Sequence, residues 1–203
     1  TWLGMNDFGL IAGVLNRRGS LGPKEGYRSR GELPLEALDH ADAAAAAVAL
    51  ADINPNAYRP FNLVLADNRD AYWLRLAETH WGLHAEVKPI PAGISLITAS
   101  DRNDTSSARI RTYLPQFENA EAPDPAVGNW SAWQALFASR MYDPDDGPEG
   151  AMLISTDSGF GTVSSSLIAL PSAEYVAANP GTKPVYMFAA GAPSKTSYEL
   201  VAA

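Results

Sequence analysis

Apolar positions along this chain follow two rhythms, short runs broken by tight polar turns and residues recurring at three- and four-residue spacing. Trp2 to Met5 and Leu10 to Leu15 are apolar runs, and Asn6-Asp7-Phe8-Gly9 between them holds residues that accept turn dihedrals, so an antiparallel hairpin is expected. The second run is continuously apolar rather than alternating, which predicts an inner strand covered on both faces. It stops at Asn16-Arg17-Arg18-Gly19. An amide and two guanidinium groups at the rim of a core meet little competition from water for their hydrogen bonds, which makes this strand end a place to look for a site.

Further along, Glu32 to Leu38 and Asp42 to Asp52 read as helices, the second carrying the run Ala43 to Ala47 and closing before Pro55. Phe61 to Ala66 and Ala71 to Ala77 flank Asp67-Asn68-Arg69-Asp70 and predict a second hairpin. Gly93 to Thr98 continues the strand series. Helical spacing returns in Ser106 to Phe117 and in Trp130 to Tyr142, and strand character in Ala151 to Ser155, Thr162 to Leu170, Val185 to Ala189 and Thr196 to Val201. Strands, then helices, then strands again, with short links, predict an α+β fold of mainly antiparallel sheets lying face to face with helices outside. At 203 residues one domain over residues 1–203 is expected.

Composition narrows the function classes. A formal charge of −8 disfavours broad binding to nucleic acid or to anionic membranes. Without cysteine these residues hold no disulfide framework, thiolate metal site or cysteine nucleophile. No apolar run approaches the roughly 18 residues of a membrane span and no signal segment opens the chain, so a soluble, cytoplasmic protein is expected. The first residue is not Met, which points either to removal of an upstream segment or to a late start.

Five of the fifteen basic residues, Arg17, Arg18, Lys24, Arg28 and Arg30, fall between positions 17 and 30, spaced by Gly19, Gly22 and Gly26. They read either as a solvated loop paired with nearby carboxylates or as a seat for a carboxylate or phosphate, which arginine forks hold bidentately. No Gly-Lys-Ser/Thr follows the glycines, so this is not a P-loop. His80 and His84 have a spacing that on a helix would suit a metal or haem iron, but Gly82 and its strand-like surroundings oppose a helix. Asp143-Pro144-Asp145-Asp146-Gly147 reads as a turn rather than a calcium loop. Ser164 to Ser166 lack the glycine elbow of a serine hydrolase. Thr1 has two readings. As a free amino-terminal residue it would carry its own base, since an α-amino group titrates at about 7.7–8.0, and would be a nucleophile; otherwise it is the first residue of a strand.

The run from Thr1 to Glu32, with Tyr58-Arg59-Pro60-Phe61-Asn62-Leu63 and Gly159-Phe160-Gly161-Thr162, resembles the NRDE-type family that includes relatives of transport and Golgi organisation protein 2. The resemblance implies an N-terminal-nucleophile hydrolase-like (Ntn-hydrolase-like) fold, a four-layer αββα sandwich of two mainly antiparallel sheets, here lacking its first strands. About fifty residues that carry the family's Met-Cys opening and its Asn-Arg-Asp-Glu motif would precede Thr1; Asn68-Arg69-Asp70 copies that motif at the wrong place. Asn6 to Asn16 is similar to the Asn-Glu-x-Gly-Leu-x-x-x-Gly-Leu-Asn run of bile-salt hydrolases and penicillin V acylases, whose last Asn lends its amide to the oxyanion hole. By position Asn16 takes that role, and such a donor is worth about 3 kcal/mol to an acyl-transfer transition state.

Thr98-Ala99 and Ser164 to Leu167 depart from those enzymes, which carry Thr-Asn and a catalytic Arg there. The implied chemistry is hydrolysis of a carbon–nitrogen amide bond, with Asn16 and Thr1 or an upstream Cys as catalytic groups and Arg17, Arg18, Arg28 and Arg30 seating an anionic substrate group. The alternative is a non-catalytic binding or trafficking protein for haem or an acyl-CoA or lipid ligand. No cofactor or metal is expected, haem being a candidate ligand only. Expected partners are a small molecule with an anionic group, and either the missing front segment or another copy of the chain that covers the exposed strand edge. Neither nucleic acid nor a membrane span is expected.

Overall fold

The front of the chain forms the hairpin that its pattern requires. β1 (Leu3–Met5) and β2 (Ile11–Asn16) pair antiparallel with Leu3 opposite Gly13, and the turn is closed by Asn6, whose Oδ1 accepts from the backbone N–H groups of Phe8 and Leu10. The structure is a computed structural model and describes residues 2–201; Thr1, and with it the nucleophile reading, lies outside the described residues. The chain divides into two compact units, one of Thr1–Gly93, Ile97–Arg102 and Pro171–Thr182, the other of Ile94–Leu96, Asn103–Leu170 and Lys183–Ala203.

In the first unit, β3 (Phe61–Ala66), β4 (Ala71–Thr79) and β5 (Gly82–Pro89) extend the hairpin into an antiparallel sheet ordered β1-β2-β3-β4-β5. α1 (Glu32–Leu38) and α2 (Ala43–Ala51) cover one face. Their small side chains let the helices approach the sheet closely: Leu33, Ala37, Ala43, Ala46 and Leu50 pack with Val14, Phe61, Leu63, Leu65, Leu74 and Leu76 in one buried core. Asp42 caps α2 by accepting from the Ala45 N–H at 2.8 Å. Asp67, from the turn between β3 and β4, accepts from the Ala43 N–H at 2.8 Å and so ties the second hairpin to the same helix end.

The opposite face of the sheet is polar at its centre. Asn62 is fully buried there and uses its whole hydrogen-bonding capacity: Oδ1 accepts from Arg17 Nη1 at 2.7 Å and Trp73 Nε1 at 3.1 Å, while Nδ2 donates to the Thr98 and Ser100 carbonyls, each at 2.8 Å. This corrects the strand expected over Gly93 to Thr98. The Asn62 amide captures the carbonyls that a ladder would use, and Asn103 accepts from the Leu96 N–H at 2.7 Å, so side chains rather than a neighbouring strand satisfy that backbone. A six-residue helix, Ala173–Ala178, capped by Ser172, also belongs to this unit.

The second unit holds α3 (Ala108–Asn119), α4 (Ser131–Phe137) and an antiparallel sheet of β6 (Ser165–Ala169), β7 (Val185–Ala189) and β8 (Glu199–Leu200) in that order. Ile110, Tyr113 and Phe117 are the buried stripe of α3, and Phe117 meets Trp133 edge to face at 5.3 Å. Two expectations are corrected here. The helix expected over Trp130 to Tyr142 stops at Phe137, because Ser139 accepts from the Leu153 N–H at 2.8 Å and the Tyr113 hydroxyl donates to the Met141 carbonyl at 2.7 Å, fixing the chain in a non-helical path. Ala151 to Ser155 forms only an isolated bridge, Ser155 to Gly161, since Thr162 satisfies both backbone groups of Ile154. The fold is thus α+β with two antiparallel sheets, and no helix of the described residues is long and apolar enough to cross a membrane.

Candidate functional site

β2 carries Asn16 at its end, opposite Phe61 of β3, on the face that α1 and α2 cover. Neighbouring residues of a strand point to opposite faces, so Arg17 leaves on the other side. There it meets Asn62 and lies 2.7 Å from Asp101, an ion contact without hydrogen-bond alignment on the Asp101 side. Asp101 also pairs with Arg75, which reaches Glu86 at 2.9 Å. Arg17 is therefore committed to the polar face of the sheet, and Arg18 is exposed, its backbone N–H donating to the Ala99 carbonyl at 3.1 Å.

The loop from Gly19 to Gly31 folds back over the end of β2 and closes a cavity of about 420 Å³. Its wall is made by Trp2, Asn16, Leu21 to Lys24, Tyr27 to Gly31 and Arg59. Of the predicted site residues, Asn16, Arg28 and Arg30 come together here, and Arg17 and Arg18 do not. Arg59 joins them without having been singled out from the sequence. Its cue is its place in Tyr58-Arg59-Pro60-Phe61-Asn62-Leu63, a run that carries the family resemblance but assigns it no role, and the distant pairing of Asn16 with Phe61 that brings it to the cavity is not visible in local spacing.

Two of these guanidinium groups hold the loop. Arg30 is 7% exposed; its Nη1 donates to Ser20 Oγ at 2.9 Å and the Pro60 carbonyl at 3.0 Å, and its Nη2 to the Gly22 carbonyl at 3.3 Å. Arg59 donates from Nη1 to the Leu21 and Gly22 carbonyls at 2.7 and 2.8 Å and from Nη2 to Gly19 at 3.1 Å. Gly22 has a φ of 79°, a conformation that glycine adopts without strain, and it turns one carbonyl oxygen toward both arginines. Burial first, and then the Arg59 charge, push the Arg30 guanidinium below its ordinary pKa.

All these partners are neutral. Among the described residues Lys24, Arg30 and Arg59 have no carboxylate within ion-pair distance, and the cavity wall contains no acidic residue. Arg28 differs: it pairs with Glu32 at 2.6 Å, which raises its pKa, and lies 5.3 Å from the Tyr58 ring centroid. Lys24 sits 5.3 Å from the ring centroid of Tyr27. The Asn16 Oδ1 is enclosed and has no hydrogen-bond partner. Trp2, Leu21 and Pro23 supply an apolar side to the same space.

The remaining candidates fall elsewhere. His80 stands in the turn after β4 and His84 in β5 opposite Ala77, so they do not share a helix face, and no group of three or more metal-ligating side chains occurs among the described residues. Asp143 to Gly147 is a turn in which Asp143 Oδ1 accepts from the Asp145 N–H, and Asp146 pairs with Arg111.

The fold and the site define an α+β chain with two antiparallel sheets and a loop-closed, positively charged cavity at the end of an inner strand. The family model described as transport and Golgi organisation 2 matches residues 1–176, and the chain belongs to that family. A search of curated proteins finds no match.

Proposed function

We propose that this chain binds an amphiphilic anion in the cavity between the Gly19–Gly31 loop and the end of β2. The observation that carries the reading is a cavity wall with Lys24, Arg30 and Arg59 uncompensated and no carboxylate, beside the apolar groups of Trp2, Leu21 and Pro23. A charged group that is buried among neutral dipoles gains from an incoming opposite charge, and a concave, partly apolar pocket gives the ligand's tail a place. Haem or an acyl-CoA-like lipid, the ligand class suggested by the family resemblance, would dock through its anionic groups; no histidine lines the cavity to bind an iron. Calorimetric titration with heptanoate and with uncharged heptanol tests the reading. Saturable binding of the anion that weakens with added salt is expected; equal binding of the alcohol, or none of either, defeats it.

A second reading has its own support in Asn16, which lines the same wall with its Oδ1 enclosed and unpartnered. In it the chain transfers an acyl group from a carbon–nitrogen bond, with Asn16 donating to the oxyanion and Thr1 or an upstream Cys as nucleophile, within the αββα layering of the Ntn-hydrolase-like superfamily. Cleavage of an acyl-amide panel by wild type at a rate that Asn16→Ala lowers about a hundredfold is expected. Equal rates remove the role of Asn16.

A further inference from the structure

Resting on the anion-binding reading above, the geometry points to a doubly charged seat: we propose that Arg30 and Arg59 together take the dianion of a phosphate monoester in preference to a singly charged carboxylate. The two guanidinium groups are joined through one oxygen, the Gly22 carbonyl, which accepts from Arg30 Nη2 at 3.3 Å and Arg59 Nη1 at 2.8 Å. Each guanidinium has five N–H donors. On Arg30 the contacts to Ser20, Pro60 and Gly22 use three of them, and on Arg59 those to Leu21, Gly22 and Gly19 do the same. Nε–H and one Nη2–H on each side remain without a partner among the described residues.

Four unused charge-assisted donors on two adjacent cations match the three oxygens and the second negative charge of a phosphate monoester better than the two oxygens and single charge of a carboxylate. Lys24 adds a third cation to the same wall, and Arg28 does not count toward the excess because Glu32 neutralises it. Loop carbonyls fix both guanidinium groups before any ligand arrives, so little side-chain entropy is lost on binding. The apolar side formed by Trp2, Leu21 and Pro23 then receives what the phosphate is esterified to.

The test compares three short ligands on the full chain by calorimetry: hexyl phosphate, methyl hexyl phosphate, which stays a monoanion, and heptanoate. At pH 7.5 hexyl phosphate is expected to bind at least about tenfold tighter than either monoanion. That advantage should shrink toward none at pH 5, because the second ionisation of a phosphate monoester lies near pH 6. Arg59→Gln should abolish most of the advantage while heptanoate still binds. Equal affinity of all three ligands at pH 7.5 overturns the dianion seat and leaves the anion-binding reading standing; no binding of any of them overturns both. The pH arm needs no variant, so a misfolded Arg59→Gln does not decide the matter.

A soluble ester and a lipid headgroup share this chemistry, and sedimentation with phosphatidylcholine vesicles, with and without phosphatidic acid, separates them. Co-sedimentation only when phosphatidic acid is present assigns the headgroup. Binding of hexyl phosphate without co-sedimentation assigns a soluble ester. Either supports the dianion seat.

Discussion

Replacing Asn62 by Leu keeps the branched outline of the side chain and deletes every polar contact it makes. Asn62 is inaccessible to solvent and serves Arg17, Trp73, Thr98 and Ser100 at 2.7, 3.1, 2.8 and 2.8 Å. Leu is no smaller than Asn, so no cavity opens, and the loss counted here comes from four stranded partners at about 1 kcal/mol each, the low end of the cost of an unmade buried hydrogen bond. The low end applies because Arg17 keeps its contact with Asp101 and the Thr98 and Ser100 carbonyls are only partly buried. The total, about 4 kcal/mol, is large for a single substitution. Urea denaturation followed by tryptophan fluorescence should show the midpoint falling with an unchanged slope. Asn62→Asp, which keeps the acceptor for Arg17 and Trp73 but turns a carboxylate oxygen toward two carbonyls, should also destabilise. A loss below about 1 kcal/mol for Asn62→Leu would show that this network is solvated in solution and does not hold the 97–102 segment to the sheet.

Other expectations follow from single contacts. Burial raises the Asp67 carboxyl, yet N–H groups of Ala43, Asp70 and Arg69 outweigh it and hold the pKa below the ordinary range. A depressed carboxylate stabilises the fold above its unfolded pKa of about 3.9, so Asp67→Asn should cost about 1 kcal/mol at pH 7 and the gap should close as the pH falls below about 4 in parallel melts. Asn16→Ala should change stability by less than about 0.5 kcal/mol, because the Asn16 Oδ1 has no partner to lose, while weakening ligand binding; a large loss of stability would make Asn16 structural. At Gly161 an added Cβ would lie 2.8 Å from the Ile154 carbonyl oxygen, so Gly161→Ala should lower the melting temperature, and an unchanged melt would mean the bridge to Ser155 is not formed.

Several elements of the fold were legible because their signals are local. The helices over Glu32–Leu38 and Ala43–Ala51 and the strands Phe61–Ala66 and Val185–Ala189 end where turn residues, caps or Pro say they should. Around His80 and His84 the sequence reads as strand-like but sets no bounds, and the structure supplies them: Gly82, with a φ of 98°, starts β5. In segments 93–98 and 151–155 the backbone is satisfied by side chains from outside the segment, Asn62 from 36 residues away and Asn103 and Thr162 from 7 and 8, which strand periodicity does not announce. The site divided in the same way. Asn16 and Arg30 could be picked from the loop that holds them, but which arginine faces inward depends on strand parity and register, and these sent Arg17 to the polar face and brought in Arg59.

The central claim is that uncompensated charge at Arg30 and Arg59 makes this cavity an anion seat. Amide chemical shifts of the full chain during titration with hexyl phosphate test it most directly. Saturable shifts concentrated at Gly19, Gly22, Arg30, Gly31 and Arg59, reached only at about tenfold higher ligand concentration in Arg59→Gln, are predicted. Shifts absent from that loop, or the same in the variant, would contradict it.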